Sequence, residues 1–136
     1  LAIAYAEANG EDILIHIVWA GDSRVYLLDE HGLMQLTRDD TDVDDALENL
    51  YNDGAMTNVI SSDGNYKLNY KSIKLSHPAL ILSATDGCFG YMPSPMEFEY
   101  EILNSIVCSN IPKELNKILK KKNCRNMPVM IFHQWI

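Results

Sequence analysis

The chain has 136 residues, 47% of them hydrophobic and 22% charged, which is ordinary globular usage with room for one core and excludes a disordered or fibrous chain. Its formal net charge of −8 disfavours nucleic acid as a partner, because phosphate backbones are bound chiefly by clustered Lys and Arg. The longest apolar runs, residues 13–20 and 79–84, are strand-sized and His16 interrupts the first, so no membrane span is expected; no basic segment precedes Leu1-Ala2-Ile3-Ala4, so no signal peptide is read.

In chain order, residues 1–8 predict a strand that ends at the turn Asn9-Gly10-Glu11-Asp12. Residues 13–20 are β-rich and apolar on both faces, as expected of a central strand packed on two sides. Gly21-Asp22-Ser23 turns that strand into Arg24-Val25-Tyr26-Leu27-Leu28, and Asp29-Glu30-His31-Gly32 turns again before residues 33–37. The first 40 residues therefore predict an antiparallel meander with Asp22 at a turn on one end. Thr41-Asp42-Val43-Asp44 is suited to cap a short helix through Leu50. Asp40, Asp42 and Asp44 imitate the start of a calcium loop, but the sixth position is Asp45 instead of Gly and the twelfth is Tyr51 instead of Glu.

Residues 54–65 are polar and read as a loop or flap. Residues 66–75 predict a strand with Lys67, Asn69 and Lys71 outward and Leu68 and Tyr70 inward. The turn Ser76-His77-Pro78 leads into a strand over 79–85. Ser94-Pro95-Met96-Glu97 starts a helix, with a Ser cap, Pro at the first helical position and Glu at the third. Phe98, Ile102, Leu103, Ile106 and Val107 continue it at helical spacing to about Cys108. A second helix is expected from Pro112, with Lys120-Lys121-Lys122 at its negative end, before a closing strand over 129–132. Antiparallel strands followed by two helices and a strand suit a layered α+β fold.

Two segments carry chemistry. In Trp19-Ala20-Gly21-Asp22-Ser23-Arg24 and in Ile81-Leu82-Ser83-Ala84-Thr85-Asp86-Gly87-Cys88-Phe89-Gly90, an apolar run ends in small residues and delivers one carboxylate beside a glycine. A carboxylate at the end of a buried strand needs a partner, and a metal ion is one of the few that offsets its desolvation. Turn chemistry explains either segment taken alone, since Gly-Asp and Asp-Gly are common turn formers.

Taken together, the segments carry a resemblance. Gly21-Asp22-Ser23-Arg24, the strand ending Tyr26-Leu27-Leu28, Gly32 and Gln35-Leu36-Thr37-Arg38-Asp39 resemble the metal-dependent Ser/Thr protein phosphatases of type 2C, and Leu80-Ile81-Leu82-Ser83-Ala84-Thr85-Asp86-Gly87 is similar to that family's second hallmark. The resemblance implies an α-β-β-α sandwich of antiparallel sheets flanked by helices, with residues 1–136 as the C-terminal part of a single such domain. It implies Mn²⁺ or Mg²⁺ as cofactor, a phosphoprotein as substrate, and hydrolysis of phosphoserine or phosphothreonine. Asp86 matches a metal-ligating Asp, Gly87 would let the backbone bend there, and Asp22 matches the ligand of a weaker third metal. Ser23 and Arg24 are expected to order the turn.

The family's first metal motif, Asp-Gly-x-Gly-Gly, does not occur in these 136 residues, and its last aligns with Asn126-Met127, where neither side chain is a carboxylate. One core ligand and one peripheral ligand are too few for two hard cations of about six oxygen ligands each, so the chain alone is expected to be inactive. Three readings follow: part of a catalytic phosphatase, a non-catalytic phosphatase-like binding or regulatory module, or an unrelated α+β protein with accidental motifs. The remaining candidates are bland. Cys88, Cys108 and Cys124 have no C-x-x-C spacing, which argues for a reducing, cytoplasmic setting; Cys88 has no adjacent His or Lys in the sequence to activate it and reads as a structural or incidental thiol. His16, Trp19 and Tyr26 read as core, and His31, His77 and His133 share no ligand spacing.

Overall fold

The structure is a computed structural model that describes residues 1–43, 54–90, 92–107 and 131–135. Its strands are β1 (Ala2–Asn9), β2 (Asp12–Trp19), β3 (Arg24–Asp29), β4 (Gly32–Gln35), β5 (Asn69–Leu75), β6 (Ala79–Ala84) and β7 (Ile131–Trp135), with helices α1 (Asp86–Phe89) and α2 (Pro95–Val107). They form two antiparallel sheets, β1-β2-β5 and β4-β3-β6-β7, packed face to face, with α2 on the outer side of the second. The architecture is α+β, as expected. Among the described residues no helix is long and apolar enough to cross a membrane.

The expected meander over the first 40 residues is broken in the middle. The β1–β2 and β3–β4 hairpins form, but β2 and β3 lie in different sheets, so Gly21-Asp22-Ser23 is a corner between layers instead of a hairpin turn. Burial explains why. In β2 only alternate residues Ile15, Ile17 and Trp19 are buried, whereas β3 buries Val25, Tyr26, Leu27 and Leu28 consecutively. Thus β3 and β6, not β2, are the strands covered on both faces. Val25, Leu27 and Ile81 face the inter-sheet core with Ile15, Ile17 and Leu75; Tyr26, Leu28, Leu80 and Leu82 face Phe98 and Ile102 of α2.

The outer face of β2 is polar enough to place His16 outside the core. His16 stacks between Tyr5 and Tyr70 and bonds the Tyr70 hydroxyl at 2.7 Å and Glu7 at 3.3 Å. This also corrects the parity of β5. Ile73 and Leu75 are the residues turned inward, opposite Ile15 and Ile13 in the register, so Tyr70 points outward and Leu68 is exposed. The side chains of directly opposed residues share a face, so the buried isoleucines fix Lys71 on the inner side, where its ammonium reaches the carbonyl of Leu36.

Helix α2 starts as expected, with the Glu97 amide donating to Ser94 Oγ at 3.2 Å. Phe98 and Ile102 are buried, whereas Leu103, expected on the apolar side, is 44% exposed. Ser105 lies fully buried and donates to the Glu101 carbonyl, so its hydroxyl is satisfied within the helix. Glu99 ties α2 to the sheet by accepting from the Leu33 amide, close to Gly32, whose φ of 110° suits glycine alone. The closing strand lies at Ile131–Trp135, later than expected, where β7 pairs with β6. Of the helix expected over 41–50 only residues 41–43 are described, and there Thr41 forms an antiparallel bridge with Met56 instead of a helix cap; residues 44–50, the helix expected from Pro112, Cys108, Cys124 and Asn126-Met127 lie outside the described residues. Leu82 is fully buried between sheet and helix, so Leu82→Ala is expected to lower the unfolding free energy by about 2–5 kcal/mol in urea titration.

Candidate metal centre

The two carboxylates meet because of strand register. Antiparallel pairing sets Arg24 of β3 opposite Ala84 of β6, so the segments just beyond them, which carry Asp22 and Asp86, leave the same end of the four-stranded sheet, near enough for the Asp86 charge to act on the Asp22 carboxyl. Asp22 stands at the corner between the sheets. Asp86 begins the single turn of α1, after Thr85. Contrary to the picture of a carboxylate at a buried strand end, Asp86 is exposed, and Gly87 is a buried helical residue instead of a bend. The glycine that needs its freedom is Gly21, with φ 88°. Cys88 is fully buried against α2, which makes it the structural thiol the sequence suggests.

The electrostatics at this end are those of like charges held together. Partial burial pushes the Asp22 carboxyl above its ordinary range against the pull of a backbone amide, and the charges of Asp86 and Asp39 push it further. Neither Asp22 nor Asp86 is ion-paired with Lys or Arg among the described residues. An acid whose pKa rises on folding holds more protons folded than unfolded, so it contributes stability below the unfolded pKa that is lost as pH rises through the folded one. Asp22→Asn is therefore expected to raise the melting temperature at pH 7 in chelator, with the gain shrinking as pH falls through the carboxylate range.

Residues that sequence reasoning passed over hold the corner in place. The Asp40 carboxylate accepts from the Gly21 amide at 3.0 Å, from Asn58 Nδ2 at 2.6 Å and from Asn69 Nδ2 at 3.0 Å, while the Asp40 amide donates to the Gly21 carbonyl at 3.1 Å. The aspartate that mimicked a calcium loop is thus a clamp on the residue preceding Asp22. Beside it Thr57, Asn58, Tyr66, Lys67 and Asn69 line an open polar hollow of about 580 Å³, formed by the expected loop over 54–65 and the residues after it.

Arg24 is the second fastener. Its Nε donates to both oxygens of Asp39 at 3.0 Å, and its Nη2 donates to Oδ2 at 2.6 Å. Its guanidinium lies 3.8 Å from the centre of the Phe89 ring, and Nη1 donates to the Tyr26 hydroxyl at 3.4 Å. Burial works against the Arg24 charge, but Asp39 and Tyr26 outweigh it and keep the guanidinium firmly charged. Burial also pushes the Tyr26 phenol up to about 12, so it remains a neutral hydroxyl against Arg24. Nothing in the sequence spacing marks Asp39 as this partner, since 15 residues separate it from Arg24.

Among the described residues no three His, Cys, Asp or Glu side chains stand together in a way that would hold a metal ion. The donor set among the described residues is a pair of carboxylates, Asp22 and Asp86. Hard oxygen donors of this kind fit one edge of a divalent ion such as Mn²⁺ or Mg²⁺ and would relieve the mutual repulsion of Asp22 and Asp86; they do not make up the ligands of two ions.

No protein-family model and no curated protein sequence matches the chain. Solved structures do. PppA of Pseudomonas aeruginosa, described as a key regulatory component of T6SS, superposes with a TM-score of 0.72 at 18% identity over 97% of this chain and 56% of its own. The serine/threonine phosphatase Stp1 of Staphylococcus aureus gives 0.72 at 16% identity, over 98% of this chain and 55% of that one. The serine/threonine phosphatase PstP/Ppp of Mycobacterium tuberculosis gives 0.63 at 17% identity, over 95% and 57%; a catalytic domain of PstP is also solved with 2 manganese ions. The chain spans little more than half the length of these structures, and over that length its fold is that of the type 2C Ser/Thr phosphatases.

Proposed function

We propose that residues 1–136 are the C-terminal part of a single metal-dependent phosphatase domain that hydrolyses phosphoserine and phosphothreonine in proteins. The observation that carries this reading is the convergence of Asp22 and Asp86 at one sheet end, close enough for the charge of one to shift the carboxyl of the other. Asp86, Asp22 and the Gly87 carbonyl are the groups that would hold a divalent ion, Mn²⁺ or Mg²⁺. When bound, such an ion supplies Lewis-acid polarisation and a nucleophilic water at neutral pH. The chain's own part is to hold the two carboxylates apart from competing cationic side chains, with Asp40 fixing the Gly21 corner and Arg24 fixing the segment that carries Asp39. The remaining ligands of a two-ion centre are not supplied by the described residues.

A second reading, a non-catalytic phosphatase-like module, draws on Asn126-Met127, which puts no carboxylate where the resembled family has its last metal motif. Hydrolysis of a phosphoserine peptide by a complete domain containing this chain separates the two. Turnover that requires Mn²⁺ and stops in excess chelator supports the enzyme; no turnover with saturating Mn²⁺ supports the module.

A further inference from the structure

We propose that Arg24 is a positioning residue that couples the two carboxylate segments of this metal edge, acting through the Phe89 ring. The inference builds on the reading of Asp22 and Asp86 as metal ligands and adds what sets their separation. Arg24 stands two residues after Asp22, and Phe89 three residues after Asp86, at the other end of the four-residue helix α1. The central carbon of the guanidinium lies 3.8 Å from the centre of the Phe89 ring while its Nε and Nη2 donate to Asp39, so one side chain of β3 touches both the segment after β4 and the Asp86 helix. Phe89 has little freedom of its own. It packs edge-on to Tyr26 at 6.4 Å and to Phe98 at 6.5 Å, and Tyr26 in turn takes a hydrogen bond from Arg24. The helix is a single turn, closed by one i→i+4 bond from the Gly90 amide to the Asp86 carbonyl at 2.7 Å, so the contact at Phe89 is what ties that turn, and Asp86 with it, to β3.

Lysine at position 24 isolates the geometric role. It keeps a positive charge against Asp39 but has neither the planar fork nor a face to stack. Mn²⁺ titrations of the chain, followed by the electron paramagnetic resonance of the free ion, compare wild type with Arg24→Lys, Phe89→Leu and the double variant; thermal melts in chelator record the structural effect separately. Each single variant is expected to raise the Mn²⁺ dissociation constant at least about tenfold, with the double variant no weaker than the singles because both remove one contact. Variants that lose melting temperature yet bind Mn²⁺ like wild type would reduce Arg24 to a structural role and overturn the proposal alone. A wild-type chain that binds no Mn²⁺ would overturn the metal reading and the proposal with it.

Discussion

Asp86→Ala abolishes Mn²⁺-dependent hydrolysis of a phosphoserine peptide in a complete domain containing this chain: that is the largest effect expected of any single substitution here. The reason is geometric. Asp86 is exposed at the start of α1, near enough to Asp22 for its charge to be felt there, and it is not ion-paired with Lys or Arg among the described residues. Loss of an outer partner of a metal ligand costs roughly 10–100-fold, so loss of the ligand is expected to exceed 100-fold in turnover. Because the side chain is exposed, the same substitution should leave the melting temperature in chelator nearly unchanged. A variant that retains wild-type turnover removes Asp86 from the site.

Arg24→Ala carries the largest expected effect on stability. The Asp39 side chain is only 10% exposed, and its charge is balanced by three hydrogen-bond contacts from Arg24. Removing the guanidinium leaves that carboxylate nearly buried beside Asp22, takes away the cation over the Phe89 ring and deprives the Tyr26 hydroxyl of its donor. The combined cost is expected to be about 2–4 kcal/mol, somewhat below that of a fully buried pair because Arg24 itself is partly exposed. Urea titration measures it. A loss below about 0.5 kcal/mol would mean that Asp39 finds water as readily as it finds Arg24, as for a surface pair.

The strands were legible because their hydrophobic patterns are strong, but the layer each belongs to was not read from them. Gly21-Asp22-Ser23 looks like a hairpin turn, and locally nothing distinguishes it from a corner between sheets. The distinguishing signal was present in the strands themselves. Four consecutive buried residues in β3 require cover on both faces, while β2 alternates, so the two cannot share the same environment. In β5 the polar Asn69 and Lys71 mimic an outward face, but Ile73 and Leu75 set the parity and Lys71 follows them inward. The site was half legible. Asp22 and Asp86 announce themselves by motif, and register brings them together. Asp39 and Asp40, the aspartates that fasten Arg24 and Gly21, are invisible without tertiary contacts because their partners lie 15 and 19 residues away.

The central claim is that this chain carries one edge of a metal centre and not the whole of it. Calorimetric titration of the 136-residue chain with Mn²⁺, alongside Asp86→Ala, tests it most directly. The prediction is a single weak site that disappears in Asp86→Ala. Two tightly bound ions, or a binding isotherm that Asp86→Ala leaves unchanged, would contradict it.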